Sequence, residues 1–266
     1  MNDLLLHKRF MLIALAEAKK GLGRVSPNPA VGCIIVKEGK IVSKGYHQIF
    51  GGPHAEIIAL KRAKEKAYGA TIYVTLEPCS YFGKTPPCID AIIISGIKKV
   101  VVAMVDPNPA NSGKGLKKLR REGIKVISGI LKKEAEALNK PFIDRMKKKR
   151  PYVTVKLAQS LDGKIATKAG DSKWISSKSS RTVVQRLRSR HDAIMVGVNT
   201  VLKDDPSLSV RISHIVCRMS HRQPTKIVID SKLKTPVNAK IFQKPSAKVI
   251  IAATKKASQR KEKILV

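Results

Sequence analysis

Four residues of this chain have the types and spacing to do chemistry together. His54 and Glu56 stand in the run H-A-E, and Cys79 and Cys88 bracket the run P-C-S-Y-F-G-K-T-P-P-C that starts at Pro78. One imidazole and two thiolates supply three protein ligands for Zn²⁺ and leave the fourth tetrahedral position open for water, the arrangement of catalytic rather than structural zinc. Zinc lowers the pKa of such a water to roughly 7. Glu56, two residues past His54, is placed to accept and return the proton. H-x-E followed by P-C and a later Cys is the pattern of zinc deaminases, in which hydroxide attacks a ring carbon and Glu passes the proton to departing ammonia. The catalytic assignment is therefore Glu56, and the metal assignment is His54, Cys79 and Cys88.

Buried thiols that merely fill a core are the bland alternative. Both Cys follow Pro in polar, turn-rich sequence, where no apolar periodicity calls for a core residue. A closed structural zinc needs a fourth ligand, and the remaining thiols do not offer one. Cys33 sits in the apolar run V-G-C-I-I-V from Val31 and reads as a buried strand position, and Cys217 is far away in sequence.

The elements that must position these residues alternate. An amphipathic helix is expected at about 4–20, strands near 31–36 and 40–46, a helix from His54, a strand over Thr71 to Leu76, and a helix after Pro86 and Pro87. A strand at 98–105, a helix near 114–122, a strand at 124–127 and a helix at 131–139 follow. Such alternation argues for an α/β sandwich on a mostly parallel or mixed sheet. His54 and Glu56 would open one helix and Cys88 another, and a helix N-terminus favours thiolate over thiol. The basic run from Lys147 to Pro151 reads as a linker, and Tyr152 to Leu157 as an alternating strand. Beyond it, a helix at 178–190 and strands near 193–196, 226–229 and 248–252 make a second α/β region. No G-x-G-x-x-G is present, so a standard dinucleotide fingerprint is not available.

Eight residues, 80 to 87, separate the thiols, where deaminases of nucleosides and nucleic acids carry P-C-x-x-C. This longer loop resembles that of the bifunctional riboflavin-biosynthesis deaminase/reductases. So do S-P-N-P-A-V-G-C from Ser26, G-Y-H from Gly45 and V-D-P-N-P-A-N-S-G-K-G from Val105. Further on, K-L-A-Q-S-L-D-G-K from Lys156, W-I-S-S from Trp174, A-I-M-V-G-V-N-T-V-L-K-D-D-P from Ala193 and I-V-I-D-S from Ile227 are similar to successive motifs of the reductase half. Essentially the whole chain is covered, in family order.

The resemblance implies a cytidine-deaminase-like α/β/α sandwich over 1–146 and a dihydrofolate-reductase-like α/β domain over 151–266. It implies deamination of 2,5-diamino-6-(5-phosphoribosylamino)pyrimidin-4-one, then NADPH-dependent reduction of the ribosyl group to ribityl. Asn28, His47 and Lys84 fall at substrate-binding positions of the first half. In the second, Lys156, Ser172, Arg188, Leu208 and Arg211 would face the phosphosugar, and Ala158, Trp174, Thr200, Asp204 and Ser231 the nicotinamide cofactor. Arg188 and Arg211 suit phosphate because guanidinium offers paired donors. Similar proteins continue into an acidic residue followed by glycines that cradle the cofactor's phosphates; here the sequence stops at Val266. The second domain is therefore expected to be C-terminally incomplete and its reduction to be the weaker activity.

Composition bounds the rest. At 266 residues with 43% hydrophobic residues the chain is long enough for two cores. Only four Cys, at least two in a metal pattern, argue for a reducing cytoplasm rather than a disulfide-built secreted protein. The start, with Phe10 to Ala16 apolar, imitates a short signal peptide, but Leu6, Phe10, Ile13 and Ala14 fit helical spacing. No run approaches the ~18 apolar residues of a membrane span. A net charge of +34 would ordinarily point to nucleic acid. The basic residues are instead spread end to end without interleaved aromatics, which are 4% of the chain. Drift toward Lys and Ile codons, as in an AT-rich genome, would raise that charge without a selected partner, and whether the charge has a function is left open by the sequence. The expected partner is a small phosphoribosyl pyrimidine, with no membrane and no specific nucleic acid, in a homo-oligomer. A tRNA or nucleoside deaminase and a noncatalytic basic RNA-binding protein are the rival classes.

Overall fold

The computed structural model describes residues 3–83, 85–211, 223–243, 247–257 and 259–265. The chain forms two compact units, Met1–Thr154 and Val155–Val266.

Unit 1 is built on a five-stranded sheet. Its strands are β1 (Gly32–Lys37), β2 (Lys40–Tyr46), β3 (Thr71–Val74), β4 (Lys99–Val102) and β5 (Lys125–Ser128), in the order β2-β1-β3-β4-β5. β1 runs antiparallel to both β2 and β3, whereas β3, β4 and β5 are parallel. The sheet is thus mixed. β1 and β4 are continuous apolar runs because both faces of the sheet are covered.

Two glycines show how the faces are shared. A Cβ on Gly32 would lie 2.0 Å from the Ala14 carbonyl oxygen, so α1 (Asp3–Lys19) crosses directly over it. A Cβ on Gly45 would lie 2.4 Å from the Ala55 carbonyl oxygen of α2 (Ala55–Ala63). Gly45 pairs with Cys33, the neighbour of Gly32, and successive residues of a strand face opposite ways. α1 and α2 therefore lie on opposite faces of the sheet, which makes unit 1 the expected α/β/α sandwich.

α3 (Cys88–Ile94) packs beside α2. α4 (Lys114–Arg121) and α5 (Lys132–Leu138) flank the last parallel strands. One core runs through both layers, from Met11 and Ala14 through Ile34, Ile72 and Val101 to Ile89 and Leu119.

Two expectations are corrected. The run read as a linker from Lys147 is in part helix, for α6 spans Lys140–Lys148 and the chain leaves it at Lys149 in a left-handed turn. Tyr152 to Leu157 forms no strand. Its alternation is real, but Val153 and Val155 are exposed and no neighbouring ladder takes up the backbone groups.

Unit 2 carries a parallel sheet of β6 (Ala193–Gly197), β7 (Thr225–Ile229) and β8 (Val249–Ala252), in that order. α7 (Lys178–Arg190) starts at Ser177, whose Oγ accepts from the Ser180 N–H in the usual N-cap manner. α8 (Val198–Asp204) and α9 (Gln259–Leu265) are the remaining helices among the described residues. The small core gathers Val201, Leu208, Val228, Ala239 and Ile241. No helix among the described residues is long and apolar enough to cross a membrane.

Candidate active site

His54 is the N-cap residue of α2 and Cys88 the first residue of α3, so the packing of these two helices brings the imidazole to the thiol. Pro87, fixed in φ, ends the loop that carries Cys79 back to the same point. His54 Nδ1 lies 3.2 Å from Cys88 Sγ and 3.5 Å from Cys79 Sγ, and the three ligand atoms lie within 4.8 Å of one another. Atoms about 2.0–2.3 Å from a zinc ion at tetrahedral corners stand about 3.3–3.8 Å apart. The separations and the donor set, one imidazole and two thiols, fit Zn²⁺.

The protons of this cluster are already biased. Cys79 meets the Cys88 thiol and His54 and accepts from the Cys88 N–H at 3.2 Å; the Cys88 thiol first, then His54 and that N–H, draw its pKa down to about 4 despite burial. Cys88 is pushed up, because two adjacent thiols cannot both ionise without a cation and because burial and Glu56 oppose a second charge. His54 is raised chiefly by its contact with Cys79. A divalent cation would take both sulfurs as thiolates and displace the remaining proton.

Glu56, in the first turn of α2, is 3% exposed and meets Cys88. Burial raises its carboxyl to about 7, with His54 pulling the other way and Cys79 adding to the rise. Cys33, on β1, is fully buried, and burial, with Glu56 adding to it, raises its thiol.

His54, Glu56 and Cys79 line a cavity of about 340 Å³ that also takes in Asn28, His47, Phe50, Tyr81, Asp106 and Asn108. His47 Nδ1 donates to the Pro53 carbonyl at 3.0 Å, which leaves Nε2 to accept from Asn28 Nδ2 at 3.2 Å. That pair holds Asn28 with its amide oxygen directed away from His47, available to an amino donor on a ligand. Lys84 lies outside the described residues.

A supporting network escaped the sequence reading. Glu77 is 3% exposed, and its carboxylate accepts N–H bonds from Asp106 (3.0 Å), Gly113 (2.8 Å) and Leu116 (3.3 Å). Asn111 accepts from the N–H and Oγ of Ser80 and donates to the Pro78 carbonyl and to Asp106. Together they tie the Cys79 loop to the wall that carries Asp106 and Asn108. The signal in the sequence was the Glu beside Pro78 and the polar V-D-P-N-P-A-N run, neither of which has a spacing that reveals a partner thirty residues away.

In unit 2 the expected residues are gathered only in pairs. Ser172 Oγ donates to Asp204 at 3.4 Å. Arg188 is held below its usual pKa by burial and by Arg211, whose backbone N–H is anchored on Gln185. Lys156 and Ala158 lie on the extended segment after Thr154, and Thr200 on α8. Trp174 is exposed with the Arg181 guanidinium 4.4 Å over its ring, and Ser231 follows β7 with its carbonyl bonded to Thr254. Leu208 is a core residue. Two guanidiniums near enough to repel one another fit an anionic ligand. The cofactor positions stand on separate segments.

Residues 5–104 match the family described as the cytidine and deoxycytidylate deaminase zinc-binding region, and residues 151–266 match the RibD C-terminal domain. The chain is 53% identical over 257 residues to riboflavin biosynthesis protein RibD of Aquifex aeolicus, covering 97% of this chain and 70% of that protein. It is 50% identical to RibD of Escherichia coli over 244 residues, covering 89% of this chain and 66% of that one. Among solved structures, a diaminohydroxyphosphoribosylaminopyrimidine deaminase/5-amino-6-(5-phosphoribosylamino)uracil reductase of Thermotoga maritima superposes with a TM-score of 0.88 at 45% identity, covering 95% of this chain and 71% of that one. RibD of Acinetobacter baumannii superposes at 0.89 with 41% identity, covering 99% and 73%. The chain spans 61% to 70% of the length of three curated RibD relatives that are 50% to 53% identical to it.

Proposed function

The chain belongs to the RibD family of riboflavin-biosynthesis proteins, and from that premise we propose that its first domain, 1–146, hydrolytically deaminates 2,5-diamino-6-(5-phosphoribosylamino)pyrimidin-4-one. The products are 5-amino-6-(5-phosphoribosylamino)uracil and ammonia. The observation that carries the reading is the His54, Cys79 and Cys88 cluster with the buried Glu56 carboxyl against it, at one end of a cavity sized for a small molecule. A zinc ion bound by those three residues supplies Lewis acidity and an acidified water. Glu56 takes a proton from the attacking water as its oxygen bonds to the ring carbon bearing the 2-amino group. It delivers that proton to ring nitrogen, then carries the second proton, from the hydroxyl of the tetrahedral adduct, to the amine as the carbon–nitrogen bond breaks and ammonia leaves. Asn28, oriented by His47, accepts from a pyrimidine amino group, and Lys84 completes the substrate-binding set.

The proposal extends to the second domain, 151–266, as an NADPH-dependent reductase of the deaminated product, supported by its match to the RibD C-terminal domain. Lys156, Ser172, Arg188, Leu208 and Arg211 are assigned to the phosphosugar, and Ala158, Trp174, Thr200, Asp204 and Ser231 to the cofactor. We also extend it to a cytoplasmic homo-oligomer, a location that the few, metal-committed cysteines support.

Purified, zinc-analysed protein incubated with the diaminopyrimidine ribosyl phosphate, with and without NADPH, tests both steps by mass spectrometry. Replacement of the amino group by oxygen is the expected first product, and reduction of its ribosyl group on adding NADPH the second. Glu56→Gln should retain stoichiometric zinc while turnover falls by about 10²–10⁴-fold, the usual contribution of general acid–base catalysis. Near-normal turnover by that variant would remove Glu56 from its role.

A further inference from the structure

The deaminase cavity has a polarity that its metal cluster does not explain. Its buried lining carries the carboxyl groups of Glu56, Glu77 and Asp106, at 3%, 3% and 7% exposure, beside the Cys79 thiol. Among the described residues that line the cavity Arg145 is the one permanent cation, so an anionic group finds its counter-charge there and not among the carboxyls of that floor. The cavity's outer wall is formed in part by α6, through Phe142, Arg145 and Met146. Arg145 donates through Nη1 to the Pro27 carbonyl at 3.3 Å, which orients the guanidinium over the Pro27–Asn28 turn. One such contact uses a fraction of the five N–H donors. Asp144, the neighbouring acid, pairs instead with Lys140 and Lys148, at 3.7 and 3.1 Å. A second cavity, of about 580 Å³, shares Arg145 and Met146 with the first and adds Lys149, Arg150 and Pro151. Arg145 is thus shared between the cavity of the metal ligands, with its carboxyl-rich floor, and a basic neighbouring one.

We propose that Arg145 is a specificity-determining residue of the deaminase site, binding the substrate's 5-phosphate while the pyrimidine occupies the floor. This assignment rests on the function proposed above. Guanidinium meets phosphate with two parallel N–H bonds, and Lys149 and Arg150 add field without that geometry. The same arrangement discriminates against the dephosphorylated compound, which leaves the guanidinium without its anion.

The test compares kcat/KM for the phosphoribosyl pyrimidine and its dephosphorylated ribosyl analogue in wild type, Arg145→Gln and Arg145→Lys. Wild type should prefer the phosphorylated compound. Arg145→Gln should lower that preference roughly 10- to 100-fold, carried by KM, and Arg145→Lys should recover part of it. An Arg145→Gln variant that loses activity equally on both compounds shows that the side chain only holds the Pro27 turn and overturns the assignment. Wild type without preference overturns it too. Wild type that deaminates neither compound overturns the proposed function itself, an outcome distinct from the other two.

Discussion

Glu77 adjoins Pro78 and Cys79 but stands apart from the three metal ligands, and its work is done through the backbone. Both carboxylate oxygens are used, Oε2 by the N–H groups of Asp106 and Gly113 and Oε1 by that of Leu116. A glutamine has one acceptor oxygen, so whichever way its amide turns, an NH₂ faces at least one of these buried N–H groups. Glu77→Gln should therefore destabilise unit 1 by about 1–3 kcal/mol, read as a lower urea midpoint with unchanged slope. A midpoint equal to wild type would show that water replaces the lost acceptor. The residues that perform chemistry were legible in the sequence because ligation demands particular types: His54, Cys79, Cys88 and Glu56 declare themselves in two short runs. Glu77 and Asn111 were not, because accepting a backbone N–H leaves no mark on spacing. The partner is chosen by the fold, not by the neighbouring residues.

At the scale of elements, unit 1 was readable because its strands are apolar runs bounded by turns, and each helix has an apolar face that must meet the sheet. The two misreadings have different causes. α6 contains no buried residue and runs out into four consecutive basic residues, Lys147 to Arg150, so this charge concealed the helical spacing of Phe142, Ile143 and Met146 behind Pro141. Tyr152 to Leu157 has the right period for a strand, but a period supplies no partner. Where an element is packed, its contacts make predictions. His7 of α1 is buried against Tyr73 of β3, Nδ1 to hydroxyl at 2.8 Å. Burial lowers its pKa from 6.5, helped by Lys99 and Lys125 and opposed by Asp3, and the facing Tyr73 is raised to about 12 and stays neutral. The imidazole is neutral in the folded state, so its contribution to stability is complete above the unfolded pKa, near 6.5. It is lost as pH falls below that, where the unfolded chain binds the proton first. His7→Gln should then show a smaller fall in melting temperature than wild type between about pH 7.5 and 5.5. Parallel falls would mean that the α1–β3 contact does not sense the proton.

Over the whole molecule the dominant fact is charge. The chain has 53 Lys and Arg against 19 Asp and Glu, and pairs such as Lys118–Asp90 consume acids that are soon exhausted. Most cationic side chains must therefore have other cations as their nearest charged neighbours, and the folded state holds them closer together than the unfolded chain does. Self-repulsion of this kind is a net cost of folding. Salt shortens its reach, from a Debye length of about 30 Å at 0.01 M to about 6 Å at 0.3 M. The protein should therefore be stabilised by sodium chloride, its melting temperature rising by about 2–4 °C for each kcal/mol of repulsion removed. The same salt should abolish its adhesion to unrelated RNA, which depends on counterion release. The two responses have opposite signs but one origin. A protein held together by its ion pairs would soften as salt is added, so a falling melting temperature would show that the few acids are placed well enough to outweigh the excess of cations. A rise would instead make the charge a burden borne by the two cores. The deaminase mouth would then benefit only locally, where Arg145, Lys149 and Arg150 face an anion instead of one another.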